Sequence, residues 1–473
     1  MPAREERRWI RPGRGARLLP AVLLLSMSCT LLGQGAARTA ETLPAEVLSP
    51  TQPIPLTSTP LTPAYVPAEC QGIPLATVGP ALAGATPVPE ANPPLTADEQ
   101  QAVAEELIRA VEDVYVAPER LGSEWQAAGE VLRQHIAEGL DTEDFYTELQ
   151  QLISGLGDEH SQIESPVEVA ASDAALSGIA GSVGIGVLVK GIPESGVITL
   201  LQVYDGSPAS KAGLEPHDNL VAVDGAPLVQ GGVPLPWLVR GPECSLAVVT
   251  VASPGEPPRE VAMVRHRYSV EQAIDARLLS APDGGRIGYL FLPSFYDERI
   301  PGQVEEALQE FGPLDGLVID NRMNGGGSSI VFEPMLSLFT SGKVGEFVSR
   351  AETRPLEITP REVQASQSVP LVVLIGEHTV SFGEIFAGVL RDDGRARLVG
   401  QTTAGNVETL HGYYFDDGSR LWIAEERFVP AVSLAGWEGI GVQPDVEVVA
   451  LWHTYSVEDD PVLAAALQLL AGE

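Results

Sequence analysis

Apolar residues in the first part of the chain recur at the spacing of amphipathic helices. From Thr96 onward, the stretch "TADEQQAVAEELIRAVEDVYV" opens with a Thr cap and acidic residues, and its apolar side chains recur at Val103, Leu107 and Val111. Two further amphipathic stretches follow, "WQAAGEVLRQHIAEG" and "TEDFYTELQQLISGLG". The pattern predicts a small N-terminal helical domain over residues 96–170.

The spacing of apolar residues then changes to the every-second-residue alternation typical of β-strands. Between residues 178 and 268, Gly, Pro and Asp turns separate "GIGVLVK", "SGVITLLQVYDGSPASKAGLEPHDNLVAVDG" and "CSLAVVTVAS". Over residues 269–473, strands such as "DGLVIDNR" and "PLVVLIG" alternate with helices such as "QVEEALQEF" and "FGEIFAGVLRD". The chain is therefore predicted to be a multidomain α/β plus β protein, whose last domain has a mainly parallel sheet with its chemistry at the loops that follow the strands.

The N-terminus has the pattern of an export signal. Six arginines precede "LLPAVLLLSMSCTLL", which is short for a membrane span and is followed by the small residues "GQGAA". We expect a signal peptide over residues 1–37, an extracytoplasmic protein that is not an integral membrane protein after cleavage, and a lipid anchor at Cys29 as an alternative. Residues 38–95 are rich in Pro and Thr and predict an extended linker. Cys70 and Cys244 fit either one disulfide or two separate thiols.

Charge narrows the range of partners. The 473 residues carry 29 Lys and Arg against 64 Asp and Glu, a net charge of −35. A nucleic-acid partner is therefore not expected, because phosphate binding needs a basic face. Only three lysines are present, Lys190, Lys211 and Lys343, which restricts the candidates for a catalytic amine.

Three consecutive glycines stand where a buried strand turns into a helix. In "NRMNGGGSS" they leave backbone N–H groups bare and able to approach an anion. A nucleotide-binding loop would end in Gly-Lys-Ser/Thr, which this loop lacks. An oxyanion hole and a purely structural turn both remain compatible with the pattern.

Ser381, in "GEHTVSFGE", also lies between a buried strand and a helix. This position exposes a hydroxyl at the edge of the sheet and directs a helix N-terminus at it. An ordinary N-cap serine is the alternative, since Glu384 lies three residues on, where a capping-box partner would lie.

From about Thr96 to its end, the chain resembles the C-terminal processing, or tail-specific, serine peptidases. "LVIDNRMNGGG", "SFGEIFAGVLRDDGRARLVGQTTAG" and "GIGVQPDVEV" match the strand and glycine loop, the nucleophile segment and the closing motif of that family. The resemblance implies a peptidase core of the ClpP/crotonase type with Ser381 as nucleophile. In the Ser–Lys branch a lysine follows by 25 residues, but Asn406 stands there.

Another branch of the same family supplies an alternative base. "LGDEHSQ" resembles the segment from which tricorn-type relatives provide a histidine, and "GWEGIGVQPD" places a carboxylate before the closing motif. The resemblance implies a triad of Ser381, His160 and Glu438. His378 or His411 could instead lie nearer the serine, and Glu438 could be a surface residue. The resemblance implies no metal or other cofactor.

Backbone amides complete the expected site. We expect the oxyanion to be held by N–H groups of Gly325 or Gly326 and of Phe382.

Residues 178–268 resemble a PDZ domain, most specifically in "GSPASKAGLEPHDNLVAVDG". In such domains the loop before the first long strand, here Gly184, Ile185 and Gly186, holds the C-terminal carboxylate of a peptide, which then adds as a strand. A small β-barrel that serves only as a hinge is the alternative.

Together these features predict an exported serine endopeptidase that acts on peptides or proteins recognised through their free C-termini. A catalytically inactive peptide-binding adaptor is the alternative from another functional class.

Overall fold

The computed structural model describes residues 62–77, 91–158, 160–177, 183–268 and 273–472. The predicted signal peptide, Cys29 and most of the predicted linker lie outside these residues. Within the described part of the chain, no helix is both long enough and apolar enough to cross a membrane.

Three helices begin the first region. They are α1 (Ala97–Val114), α2 (Ser123–Glu138) and α3 (Thr142–Ser154), followed by the short strand β1 (Gln162–Glu164) and helix α4 (Pro166–Ser177). Thr96 caps α1 by accepting from the Glu99 N–H, while the Glu99 carboxylate accepts from the Thr96 N–H at 2.8 Å. The apolar faces of α1–α3 pack together and also against Leu421 and Ile423 of the C-terminal region. The helices therefore share a core with the last region of the chain.

Residues 183–268 form an antiparallel sheet in the strand order β10-β9-β5-β4-β3, with β6 on β5. The short strands β2 and β11 pair with each other, as do β7 and β8. Strand β3 lies at the edge of the sheet, next to the predicted carboxylate loop. The elements are β2 (Val183–Gly184), β3 (Val187–Ile192), β4 (Val197–Val203), α5 (Pro208–Lys211), β5 (Asn219–Val223), β6 (Ala226–Pro227), β7 (Val229–Gln230), β8 (Val233–Pro234), β9 (Leu246–Ala252), β10 (Arg259–Val264) and β11 (His266–Arg267).

A disulfide ties part of the predicted linker to this sheet. Cys70 is bonded to Cys244, and the Leu246 N–H donates to the Ala76 carbonyl at 3.0 Å. Of the two states that the sequence allows for these cysteines, the structure has the disulfide. Residues 62–77 are thus attached to the middle region, whereas the composition alone predicts an extended, solvated segment.

Over the described residues 273–472, the last region forms two sheets and four α-helices, and its second sheet also includes β1. Its first sheet has the order β12-β13-β14-β17-β18-β21, in which only β12 is antiparallel to its neighbour. The second is antiparallel, in the order β1-β20-β15-β16 with β19 on β20. The elements are β12 (Asp275–Ser280), β13 (Arg286–Phe291), α6 (Ile300–Phe311), β14 (Gly316–Asp320), α7 (Ser329–Ser337), β15 (Gly342–Val348), β16 (Thr353–Ile358), β17 (Leu371–Ile375), α8 (Phe382–Asp392), β18 (Arg397–Gly400), β19 (Thr409–Tyr414), β20 (Arg420–Pro430), β21 (Val446–Glu447) and α9 (Pro461–Ala471).

Two strand pairings position the candidate site. Strands β14 and β17 are parallel neighbours, so the glycine loop after β14 and the Ser381 turn after β17 lie at the same edge of the sheet. Strand β1 pairs with β20, with Gln162 opposite Trp422. This pairing carries His160, two residues before β1, from the helical region to the core.

Candidate active site

Ser381 lies at the turn between β17 and α8 in an unusual backbone conformation. Its φ of 56° and ψ of −127° are strained for a residue with a side chain. The Ser381 N–H donates to the Asn406 carbonyl at 2.8 Å. Such strain is typical of turns that hold a side chain in a fixed position, and it is concentrated at functional sites.

The glycine loop lies directly against this serine. A Cβ on Gly326, whose φ is +86°, would lie 2.7 Å from Cβ and 3.1 Å from Oγ of Ser381. Asn324 fixes the loop, because its side-chain Oδ1 accepts from the Gly326 N–H at 2.9 Å and its carbonyl accepts from the Val380 N–H at 2.9 Å. The lack of a side chain at Gly326 therefore makes room for the Ser381 side chain.

The structure separates the two candidate glycine donors. The Gly326 N–H is already bonded to Asn324. Within the described residues, the N–H groups of Gly325 and Phe382 donate no hydrogen bond. Gly325 and Phe382 are therefore the amides that remain available to an oxyanion, one in the loop after β14 and the other at the start of α8.

His160 is held by a turn built on a carboxylate. Asp158 Oδ1 accepts from the His160 N–H at 3.1 Å and from the Ser161 N–H at 2.9 Å, and Oδ2 accepts from the Ser161 hydroxyl at 2.6 Å. The imidazole is 4% exposed, and its Nε2 lies 3.2 Å from Oε1 of Glu438. The structure thus brings together two of the three predicted triad side chains.

Glu438 connects this histidine to the loop that follows β18. Its Oε2 accepts from the N–H groups of Val407 at 2.9 Å and Glu408 at 3.2 Å. Asn406, the preceding residue, accepts from Ser381 through its carbonyl. Residues 405–408, named here the bridging loop, therefore contact both the serine backbone and the Glu438 carboxylate.

The second contact of a closed triad, between the serine hydroxyl and the imidazole, is not formed among the described residues of this structure. Among the described residues, no hydrogen bond joins the Ser381 hydroxyl to the His160 ring. In enzymes without bound substrate, catalytic hydrogen bonds are often long and shorten only in the complex.

A buried carboxylate on α8 holds the bridging loop in place. Glu384 accepts from the N–H groups of Gly405 and Asn406 at 2.7 Å each, and from the Thr403 hydroxyl. Burial raises the pKa of Glu384, while these hydrogen bonds oppose the rise. The sequence identified Glu384 only as a capping partner. Its role in anchoring the loop depends on a contact 22 residues away that no local pattern reveals.

Sequence reasoning also missed Glu408. Its carboxylate lies in the same cluster as His160 and Glu438. Burial and the neighbouring Glu438 raise the pKa of Glu408 to about 7. The only sequence signal was its position two residues after Asn406.

The two alternative histidines have other surroundings. Burial, with Lys190 and His453 nearby, lowers the pKa of His378 to about 4, which makes that imidazole a weak base. His411 Nε2 lies 3.4 Å from Oε2 of Glu426 on the neighbouring strand β20. Among the described residues, neither histidine is hydrogen-bonded to Ser381 or Glu438.

In the predicted carboxylate loop, residues 184–186, two carbonyl groups accept hydrogen bonds and two N–H groups are left without a partner among the described residues. The Ile185 carbonyl accepts from the Ala209 N–H at 2.8 Å, and the Gly186 carbonyl accepts from the Tyr204 N–H at 3.1 Å. Gly184 pairs with His266. Within the described residues, the N–H groups of Ile185 and Gly186 donate no hydrogen bond. This arrangement at an open strand edge is compatible with carboxylate binding.

Comparison with known proteins identifies a peptidase-family match within the last region. Residues 286–448 match the model of peptidase family S41. A carboxyl-terminal-processing protease of Synechocystis is 27% identical over 346 residues, covering 70% of this chain and 78% of the relative. The chloroplastic carboxyl-terminal-processing peptidase 2 of Arabidopsis thaliana is 25% identical over 354 residues, covering 72% and 67%.

Solved structures share the fold. The photosystem II D1 C-terminal processing protease superimposes with a TM-score of 0.52 at 24% identity, covering 74% of this chain and 92% of that one. A putative S41 protease from Bacteroides fragilis gives a TM-score of 0.55 at 14% identity, covering 78% and 97%. At these identities the similarity demonstrates a common mixed α/β fold.

Proposed function

We propose that this chain, a serine peptidase of the C-terminal processing family, cleaves peptide bonds with a triad of Ser381, His160 and Glu438. The observation that carries this proposal is the contact of 3.2 Å between His160 Nε2 and Glu438 Oε1. It joins an imidazole to a carboxylate whose second oxygen is held by the loop that also contacts the Ser381 backbone.

The proposed chemistry is acyl transfer. With Nε2 donating to Glu438, Nδ1 is the ring nitrogen left to accept the proton of Ser381 Oγ as that oxygen attacks the scissile carbonyl. The same ring then returns the proton to the leaving amine. Glu438 holds the ring in one tautomer and stabilises the imidazolium, and substrate binding closes the remaining distance between ring and hydroxyl.

The oxyanion of the tetrahedral intermediate would lie between Gly325 and Phe382. Both N–H groups lack a hydrogen-bond partner within the described residues; Phe382 follows Ser381 directly, and Gly325 precedes the glycine that lies against Ser381. Phe382 is also the first residue of α8, so the positive end of the helix dipole favours negative charge there. These features support preorganised stabilisation of the developing charge.

A lysine base is disfavoured by the contacts of the three lysines. Lys343 is 53% exposed and bonded to Glu346 at 2.9 Å. Lys211 lies 3.7 Å from the centre of the Tyr65 ring. Lys190, on β3, lies near His378, but within the described residues it makes no hydrogen bond to Ser381. Asn406, at the family's lysine position, contributes an amide that cannot serve as a base.

Substrates are proposed to be peptides or proteins recognised through their C-termini. Two open amides beside the edge strand β3 support capture of a carboxylate by the PDZ-like region. The N-terminal pattern of arginines and apolar residues, together with relatives named as chloroplastic, supports an extracytoplasmic location.

Labelling with a fluorophosphonate probe tests the proposal against a silent adaptor. The probe reacts only with an activated serine, so the wild-type chain should be labelled and Ser381→Ala should not. Peptide binding without labelling of the wild-type chain would favour the adaptor.

A further inference from the structure

His160, Glu408 and Glu438 form a cluster of three potential metal ligands. One ring nitrogen and one oxygen from each carboxylate all lie within 4.8 Å of one another. His160 is buried, whereas the two glutamates are half-buried, so solvent reaches the carboxylate side of the cluster. The serine chemistry requires only one of these carboxylates, and the carboxylate of Glu408 has no role in it.

The charges of the cluster are unbalanced. Glu408, Glu438 and Asp158 bring three carboxylates around one imidazole, and Arg120 is the basic group that interacts with Glu408. The Asp158 carboxylate is occupied by three hydrogen bonds to His160 and Ser161. A dication between Glu408 and Glu438 would offset the repulsion between these two groups.

The donor set selects the class of ion. A tetrahedral zinc site has three protein ligands at about 2.0–2.2 Å, which places the ligand atoms roughly 3.3–3.6 Å apart. The 3.2 Å separation of His160 Nε2 and Glu438 Oε1 is close to that spacing. An imidazole with carboxylates suits Zn²⁺ and its first-row neighbours, whereas Ca²⁺ and Mg²⁺ prefer all-oxygen sites.

We propose that His160, Glu408 and Glu438 bind a divalent transition-metal ion such as Zn²⁺, and that this ion switches the peptidase off. A neutral imidazole has one lone pair on nitrogen. When Nε2 gives that pair to the metal, the ring proton must reside on Nδ1, which then cannot accept the proton of Ser381. Glu438 is simultaneously withdrawn from the ring. The ion is thus an inhibitor and not a cofactor.

Binding can be measured without catalysis. The Ser381→Ala protein is first treated with a chelator, which is then removed. We expect this protein to compete with a chromophoric chelator for Zn²⁺, which would reveal a binding site in the chain. Adding Glu408→Gln should weaken that site by roughly tenfold or more, since one of three ligands is lost. Glu447→Gln, which removes an exposed carboxylate outside the cluster, is the matched control and should leave the affinity unchanged.

Three results decide the proposal. Weaker binding in Glu408→Gln but not in Glu447→Gln supports it, and Glu438→Gln should weaken binding as Glu408→Gln does. Equal affinity in the Glu408→Gln and Glu447→Gln chains would mean that the ion binds only adventitiously. Absence of Zn²⁺ binding in all of the tested proteins would also overturn the proposal.

The inhibitory part rests on the proposed function and has its own measurement. In chains that retain Ser381, each hydrolysis rate is compared with the same variant's metal-free rate. Wild type and Glu447→Gln should lose activity over the same range of Zn²⁺ concentrations, whereas Glu408→Gln should need roughly tenfold more. Binding without inhibition would reject the switch. A wild-type chain that binds Zn²⁺ but shows no metal-free hydrolysis would instead refute the proposed peptidase mechanism.

Discussion

The Nε2 atom of His160 lies 3.2 Å from Oε1 of Glu438, although 278 positions separate the two residues in the sequence. The pairing of β1 with β20 carries the histidine to the core, and the bridging loop holds the carboxylate through two amides. The contact therefore depends on both the helical region and the last region of the chain. Disruption of either region should affect the same chemistry.

Replacing Ser381 separates catalysis from backbone strain. Ser381→Ala should lower kcat by roughly a thousandfold or more, since the nucleophile is lost. Ser381→Gly should be equally inactive, but with a free energy of unfolding about 0.5–1 kcal/mol above that of the alanine variant, because glycine tolerates the φ of 56°. Urea unfolding and peptide hydrolysis measure the two effects. A folded and active Ser381→Ala would eliminate this serine as the nucleophile.

The glycine loop provides a matched pair of substitutions. Gly326→Ala should reduce kcat by roughly a hundredfold, because its Cβ would press on Ser381 and its φ of +86° disfavours alanine. Gly325→Ala has open space for a Cβ and keeps its N–H, so it should retain most activity. Similar losses in both variants would mean that the contact between Gly326 and Ser381 does not shape the site.

Much of the core could be predicted from local patterns. The apolar runs ending at Asp320 and Ile375 indicated buried strands, and parallel strands place their following loops at one edge. The mixed α/β character follows from such features, and the serine peptidase family follows from the resemblance of the quoted motifs. The comparisons confirm both. The roles of the individual site residues remain predictions.

Other features depended on contacts between distant segments. The Cys70–Cys244 disulfide closes a separation of 174 residues, which no spacing rule determines. The anchoring of the bridging loop by Glu384 and the place of Glu408 beside His160 depend on how two loops meet in space. Sequence also offered both Gly325 and Gly326 as donors, and the side chain of Asn324 distinguishes them by occupying the Gly326 amide.

Glu408 should make stability depend on pH. Its folded-state pKa of about 7 lies above the ordinary value of 4.5, so between pH 4.5 and 7 the folded chain holds a proton that the unfolded chain has released. This group's contribution to the unfolding free energy therefore falls as pH rises through that window. Glu408→Gln removes the dependence.

The melting temperatures of wild type and Glu408→Gln measure this effect across pH. Relative to wild type, the variant's free energy of unfolding should rise from pH 4.5 to about 7 and then stay higher by a constant amount on the order of 1 kcal/mol. Solvent screening of this half-buried group reduces the difference. Glu447→Gln controls for the loss of one negative charge. A difference between wild type and Glu408→Gln that does not change with pH would contradict the environment described for Glu408.

The PDZ-like region should distinguish peptide acids from amides. If the open N–H groups of Ile185 and Gly186 bind a carboxylate, a peptide with a free C-terminus should bind about tenfold or more tightly than the same peptide amidated. Gly186→Ala should abolish the preference, because its Cβ would lie 2.2 Å from Cβ of Ser207. Fluorescence anisotropy on Ser381→Ala avoids cleavage. Equal affinity for the peptide acid and the peptide amide would mean that the region serves only as a hinge.

Asn406→Lys tests whether the site is a damaged Ser–Lys dyad. Restoring the lysine should not raise kcat, since a cation beside the triad disfavours the imidazolium that forms during proton transfer. Asn406 contacts Ser381 and Glu384 through its backbone, so Asn406→Ala should also keep most of its activity. An Asn406→Lys enzyme faster than wild type would identify a lysine as the preferred base.

The most direct test of the triad compares kcat for His160→Ala and Asn406→Ala under the same conditions, with melting curves verifying that both are folded. The triad predicts that His160→Ala loses roughly three orders of magnitude or more, while Asn406→Ala stays within about tenfold of wild type. An active His160→Ala enzyme beside an inactive Asn406→Ala enzyme would contradict the triad and assign the base to the bridging loop.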